Sequence, residues 1–158
     1  MKHTPPESSG PLTLIGWRET ISLPELKLHD FAVKVATGAK TTALHADAIE
    51  TFQKDGANWV RFQSPELGDV PVHVCEFPIL ALRRITNTSG MPEARIVIRT
   101  PIELAAQRWE IDISLTNRAN MRFPLILGRR ALRGRNIGVH PAKSYLVSNK
   151  PHSEGSKR

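Results

Sequence analysis

A single cysteine, Cys75, in 158 residues excludes an internal disulfide, and with six scattered histidines it offers no Cys/His spacing for a metal. No apolar run approaches the roughly 20 residues that a membrane-spanning helix needs. The amino terminus, MKHTPPESSGP, has Lys2 but no apolar core behind it, so it does not read as a secretory signal. Also missing are a His-Glu-x-x-His helix and a glycine-rich loop ending in Gly-Lys-Ser/Thr, which leaves zinc chemistry and nucleotide binding without a motif. Aromatic residues make up 6% of the chain and form no interleaved stacking platform for single-stranded nucleic acid. These absences predict a soluble, cytoplasmic protein with no metal, no cofactor, no membrane partner and no direct DNA partner.

Acids are also in short supply. Lys and Arg number 22 against 15 Asp and Glu, for a formal charge of +7. Residues 1–11 contribute no net charge and residues 148–158 contribute +2, so +5 belongs to the body of the chain. Such an excess favours an anionic partner, nucleic acid or an acidic polypeptide. The length suits one domain with its own core. The Pro/Ser/Gly-rich composition of 1–11 predicts a flexible leader, 12–147 an ordered domain, and 148–158 a flexible tail.

Strand signals dominate the ordered part. Ile15-Gly16-Trp17 enters a short strand, Thr20 to Leu23 alternate as a half-buried one, and Pro24 suggests a sheet edge. Asp55-Gly56 before Trp59-Val60-Arg61-Phe62 is a hairpin signal. Two β-rich arms flank the turn formers Asn87 to Gly90, which has the shape of a mobile hairpin. Glu110 to Leu115 alternate most cleanly, after a turn expected at Gln107-Arg108. Only Arg129-Arg-Ala-Leu-Arg-Gly134 reads as a short helix, closed by its glycine. Strands recurring about every ten residues favour a small closed barrel, hence an all-β fold.

Val33 to Ala46, VKVATGAKTTALHA, reads as a strand ending in a Thr37-Gly38-Ala39 turn, with Gly38 free to take a positive-φ or crowded geometry. His45 is a candidate ligand contact. Downstream, Phe123-Pro-Leu-Ile-Leu-Gly128 is a second apolar run ending in glycine. The two motifs, in this order, resemble the retropepsin-like aspartic proteases, in which an apolar strand ends in Asp-Thr-Gly-Ala and a late Leu-Gly strand packs across that loop. IGWRE, TGAKTTALHA, ARIVIRT, ISLTNRANM, LILGRRALRG and HPAKSYLV extend the resemblance over residues 14–147, to a bacterial branch often labelled "ATP-dependent zinc protease" that includes the RimB-type enzymes.

The resemblance implies a closed β-barrel with a flap hairpin at residues 86–91 and one short helix, working as a homodimer because each chain brings one loop. It also implies a catalytic site at Ala36, Thr37 and Gly38, where the family carries aspartate at position 36. Two aspartates meeting across the axis share a proton, so that one is the base on water and the other polarises the carbonyl. With Ala36 in both subunits the chain is expected to bind without cutting. Either deliberate replacement or natural loss leads there, and the retention of Thr37 and Gly38 favours the first. RimB-type enzymes are associated with trimming glutamate tails that a RimK-type ligase adds to a ribosomal protein; an acidic tail needs cations, and Lys40, Arg83, Arg84 and Arg95, with Asn87 and His45, are the candidates by position. Arg129, Arg130, Arg133 and Arg135 are expected to pair with acids of the fold or across the dimer. The competing readings are a natural pseudoprotease and a basic barrel that binds ribosome or RNA without chemistry.

Overall fold

The computed structural model describes residues 10–68, 70–86, 89–117 and 122–151. Twelve strands follow one another: β1 (Thr13–Gly16), β2 (Arg18–Leu23), β3 (Leu28–Ala36), β4 (Thr42–His45), β5 (Asp47–Lys54), β6 (Ala57–Gln63), β7 (Val74–Pro78), β8 (Ala81–Thr86), β9 (Pro92–Leu104), β10 (Gln107–Thr116), β11 (Leu125–Gly128) and β12 (Ile137–His140). Six of them close a barrel in the order β10-β4-β11-β3-β2-β9, with β9 returning to β10 from Leu104↔Gln107 to Val97↔Ser114. The first half of the long β9 continues beyond the barrel and pairs with β8, so a two-stranded arm projects from it.

Period-2 alternation explains the closure. Ile111, Ile113 and Leu115 of β10 point inward beside Ile98 and Ile102 of β9, Val33 and Val35 of β3, and Leu125 and Leu127 of β11, all nearly inaccessible to water. The β5-β6-β7 sheet lays Val60, Phe62 and Cys75 on this core and keeps β5 exposed. At Asp55-Gly56 both residues have positive φ (51° and 77°), the geometry that a two-residue hairpin needs.

Four expectations change. The turn between β9 and β10 is Ala105-Ala106, both left-handed (φ 56° and 59°), not Gln107-Arg108, because β10 begins at Gln107. Pro24 does not mark an edge: β2 lies between β3 and β9, and Pro24 opens the 3-10 turn Pro24–Leu26 that follows it. The expected helix is a single 3-10 turn, Arg129–Ala131. A six-residue segment is too short to sustain a helix by itself, and its first N–H groups, which a helix would leave without an internal partner, donate to the Ala39 and Lys40 carbonyls. The cap of the turn is Leu132, in the right-handed region, and Gly134, with φ 78°, lies two residues further on. Finally, the hydrogen-bonded body runs past residue 147: the Thr20 N–H donates to Ser148 Oγ at 2.8 Å and the Thr20 hydroxyl to the Asn149 carbonyl at 2.6 Å.

The carboxylate behind that extension is Glu19, fully buried. It accepts from the N–H groups of Gly16 (2.6 Å), Leu146 (2.8 Å) and Val147 (3.4 Å) and from the Ser148 hydroxyl. The crossing is tight: a Cβ on Gly16 would lie 2.5 Å from the Lys143 carbonyl oxygen. Removing the acceptor strands several buried N–H groups, each costing about 1–3 kcal/mol. Glu19→Ala is therefore expected to cost roughly 3 kcal/mol or more in urea unfolding and to release the amides of residues 146–148 to hydrogen exchange well before those of β10. In the opposite direction, Ala106→Gly relieves a left-handed alanine and should raise Tm by about 2–4 °C, since such strain costs on the order of 1 kcal/mol; an unchanged or lowered Tm would mean that the turn is not strained.

Candidate active site

The loop from Ala36 to Thr41 is set by what surrounds it. β11 runs between β3 and β4, parallel to one (Gly128↔Ala36) and antiparallel to the other (Leu125↔Leu44). Gly128 therefore lies under Thr41, where a Cβ would stand 2.5 Å from the Thr41 carbonyl oxygen. Its N–H donates to Thr42 Oγ1 at 3.0 Å, and the next two N–H groups donate to Ala39 O (2.9 Å) and Lys40 O (3.2 Å). The Arg129 guanidinium adds bonds to the Thr37 and Gly38 carbonyls at 3.4 and 3.3 Å. The Ala39 N–H closes the turn on Ala36 O. Four consecutive carbonyls are thus held from one side, and the Thr37 and Gly38 faces point to solvent.

Gly38 departs from expectation. Its φ is not left-handed, and a Cβ there would meet nothing within 4 Å. Nothing in its own chain demands glycine, and the space above it is open. The crowded glycine is Gly128.

A cavity of about 490 Å³ opens beside the loop, between Gly38, Lys40 and Thr41 on one side and Arg83, Arg84 and Arg95 of the β8–β9 arm on the other. The fold thus assembles Gly38 and four of the expected cations around one space. No aspartate or glutamate lines it among the described residues. His45 is elsewhere, at the far end of β4 with Nε2 3.6 Å from the Asp47 carboxylate and its N–H on Pro124 O. Asn87 lies outside the described residues. The two inner cations are already engaged: the buried Arg95 is 3.2 Å from Glu93, and Arg83 is 3.3 Å from Asp112. Lys40 and Arg84 are exposed, and no described carboxylate pairs with either.

Within the chain, the arginines after Gly128 do not pair with described acids of the fold. Arg129 binds loop carbonyls, and Arg135 stacks 4.6 Å over Trp109 while donating to Gln107. Arg130 and Arg133 meet no described acid; both line a second cavity of about 650 Å³ that shares Thr41, Arg83, Ile85 and Arg130 with the first. Arg130 belongs to the 3-10 turn and Arg133 lies two residues past its end, and both line this cavity. That cavity also holds Arg99 and Asp112, which sequence reasoning did not single out. Their pairing depends on the β9–β10 register, Arg99↔Asp112, whose only sequence trace is that Asp112 shares the outward face of β10 with Glu110. Arg99 holds the Asp112 carboxyl below its usual range, chiefly by hydrogen bonding and with further help from Arg83. Cys75 is no nucleophile candidate, since burial pushes its thiol up to about 11.

The geometry has counterparts. A sequence model of the RimB-like group, described as retropepsin-like aspartic endopeptidase RimB, matches residues 14–150. A protein of Desulfotalea psychrophila described as a probable alpha-L-glutamate ligase is 42% identical over 82% of this chain and 28% of its own length. One of the same description from Parasynechococcus marenigrum is 41% identical over 86% of this chain and 29% of its own. The chain therefore spans less than a third of these relatives. A crystal structure of a Legionella pneumophila protein of unknown function, Lpg0085, superposes with a TM-score of 0.73 at 29% identity, covering 85% of this chain and 98% of that one.

The clamp on the loop is testable. Gly128→Ala puts a methyl group into backbone that cannot yield like a side chain, so a cost of about 2 kcal/mol or more is expected in chemical unfolding, with faster amide exchange in residues 38–42. Unchanged exchange there would show that β11 does not hold the loop.

Proposed function

This chain belongs to the RimB-like family of retropepsin-like aspartic endopeptidases, and from that premise we propose that its cleft binds a glutamate-rich polypeptide and that a pair of such clefts cuts it once position 36 carries a carboxylate. The observation that carries the proposal is the cavity beside the Thr37-Gly38 turn. Cations rim it, Lys40 and Arg84 among them without a described carboxylate partner, and no described acid lines it. A carboxylate side chain entering there gains charge-assisted hydrogen bonds that the protein does not already make for itself. The most specific substrate in keeping with this is the glutamate tail that a RimK-type ligase adds to a ribosomal protein. Two relatives described as probable glutamate ligases carry a stretch similar to this chain, which supports a shared concern with glutamate chains.

Cleavage needs two carboxylates, and one chain offers one position. The open space over Gly38 supports a second copy meeting the first at this loop, since no described residue fills it. Exposed apolar side chains open to such a contact include Leu12 just before β1, Leu14 on β1 and Leu146, which are 62%, 46% and 41% exposed, and Leu82 of β8 at 70%. Leu125 and Leu127, fully buried in the barrel, contribute nothing to it. In each copy Ala36 removes the group that would activate water, while the loop clamp stays whole, and an otherwise intact site favours the loss of one side chain over general decay. The chain as it stands binds and does not cut.

Ala36→Asp is expected to create a peptidase for a glutamate-tailed peptide. Two carboxylates brought together cannot both ionise cheaply, so one proton is retained above the usual carboxylate pKa of about 3.9. Above that raised apparent pKa the proton is lost, the division into acid and base fails, and activity falls as pH climbs. Peptide cleavage followed by mass spectrometry across pH, with sedimentation to show the dimer, reads this directly. Equal cleavage by the alanine and aspartate forms would overturn the proposal.

A further inference from the structure

The larger of the two cavities has a charge arrangement that the smaller one lacks. Four guanidinium groups border it: Arg83 from the hairpin arm, Arg99 from β9, and Arg130 and Arg133 from the turn after Gly128. Two carboxylates oppose them, Glu110 and Asp112, both from β10. Asp112 takes Arg99 Nε at 2.7 Å and Nη2 at 3.4 Å, and Arg83 Nη2 at 3.3 Å. A single internal anion therefore occupies two of the four cations, and Arg130 and Arg133 have no described acid within ion-pair distance. Four positive groups against two negative ones leave a surplus of two charges facing a space of about 650 Å³, which is of the size that holds a small ligand or peptide segment.

We propose that this cavity is a second carboxylate subsite, contiguous with the cleft at the Thr37-Gly38 loop, in which Arg130 and Arg133 hold a glutamate side chain of the substrate and Asp112 sets specificity by keeping Arg83 and Arg99 occupied. It rests on the reading that the cleft binds acidic polypeptide, and it adds where the next carboxylate goes and what limits how many are taken. The shared rim of Thr41, Arg83, Ile85 and Arg130 lets one extended chain cross from one cavity to the other. Arg130 on the 3-10 turn and Arg133 just past its end present forked donors that match a carboxylate. Asp112 lies below its usual carboxyl range, so it stays ionised at neutral pH and its hold on the two arginines does not switch off there. Asp112 is a positioning residue. It touches the two arginines, and its like charge turns away a ligand carboxylate that would otherwise reach them.

The test is fluorescence-anisotropy binding of labelled hexaglutamate, with hexaglutamine as the uncharged control, to the unsubstituted chain and to Arg130→Gln, Arg133→Gln, the pair together, and Asp112→Asn. The unsubstituted chain should bind hexaglutamate and not hexaglutamine. Each arginine substitution should weaken binding roughly tenfold, the loss of one charge-assisted bond, and the pair should weaken it more than either alone. Asp112→Asn should strengthen hexaglutamate binding several-fold, because it frees two guanidinium groups; a merely structural Asp112 would do the reverse, by loosening the hairpin arm. Thermal unfolding of each variant separates misfolding from lost contacts, and Arg133, exposed at the surface, gives the cleanest comparison. If the unsubstituted chain ignores hexaglutamate, the acidic-substrate reading falls. If it binds and the Arg130/Arg133 pair makes no difference, that reading stands and the second subsite is overturned. Weaker binding by a fully folded Asp112→Asn overturns the specificity role.

Discussion

The passage of Gly128 beneath Thr41 is the contact on which the cleft depends. A strand can run between β3 and β4, parallel to one and antiparallel to the other, only if its end slips under the chain that joins them. Glycine is the residue that leaves room, with the Thr41 carbonyl 2.5 Å from where a Cβ would be. Once the strand is there, its last N–H and the two that follow find their acceptors in Thr42, Ala39 and Lys40, so the same crossing that closes the barrel also fixes the loop. Precision at position 36 is a by-product of barrel closure, which is how a rigid scaffold positions a functional loop.

The opposite wall of the cleft is built differently. The β8–β9 arm leaves the barrel where β9 exchanges β10 for β8 as its partner, and beyond that point each arm strand has only the other. One contact ties the arm back to the barrel by charge, the bridge from Arg83 on the arm to Asp112 on β10, and Ile96 of the arm also packs against the core. One wall is thus held by main-chain bonds and the other in part by side-chain charge, and the second kind yields more easily to a charged ligand.

Two anions show how the protein divides its few acids. Glu19 is fully buried and is satisfied by backbone N–H groups and a hydroxyl, a use of charge that organises chain and leaves no field for a ligand. Asp112 sits at a cavity edge and is satisfied by arginines, so it shapes the field that a ligand meets. With 15 acids against 22 bases, pairing cannot neutralise every cation, and the unpaired ones are informative where they gather around a cleft.

Residue pattern by itself determined what depends on neighbours in the chain. The alternation at Ile111, Ile113 and Leu115, the hairpin at Asp55-Gly56 and the all-β class each follow from dihedral preference or from the two-residue repeat of a strand, and they are legible without a third dimension. The Thr37-Gly38 loop and the Leu-Gly strand were legible as a pair only through their resemblance to the retropepsin-like pattern. Tertiary structure alone decided the rest, because it depends on which distant residues become neighbours. The Ala105-Ala106 turn goes against local preference and persists because the β9–β10 register demands it. The expected helix is a single 3-10 turn whose first N–H groups meet the loop carbonyls, and only the folded chain shows Arg130 and Arg133 lining one cavity. Glu19 reads as one more polar residue until a segment 127 residues later closes over it, and Arg99 meets Asp112 only when the barrel shuts. Register and closure are non-local quantities, and a linear pattern carries no measure of them.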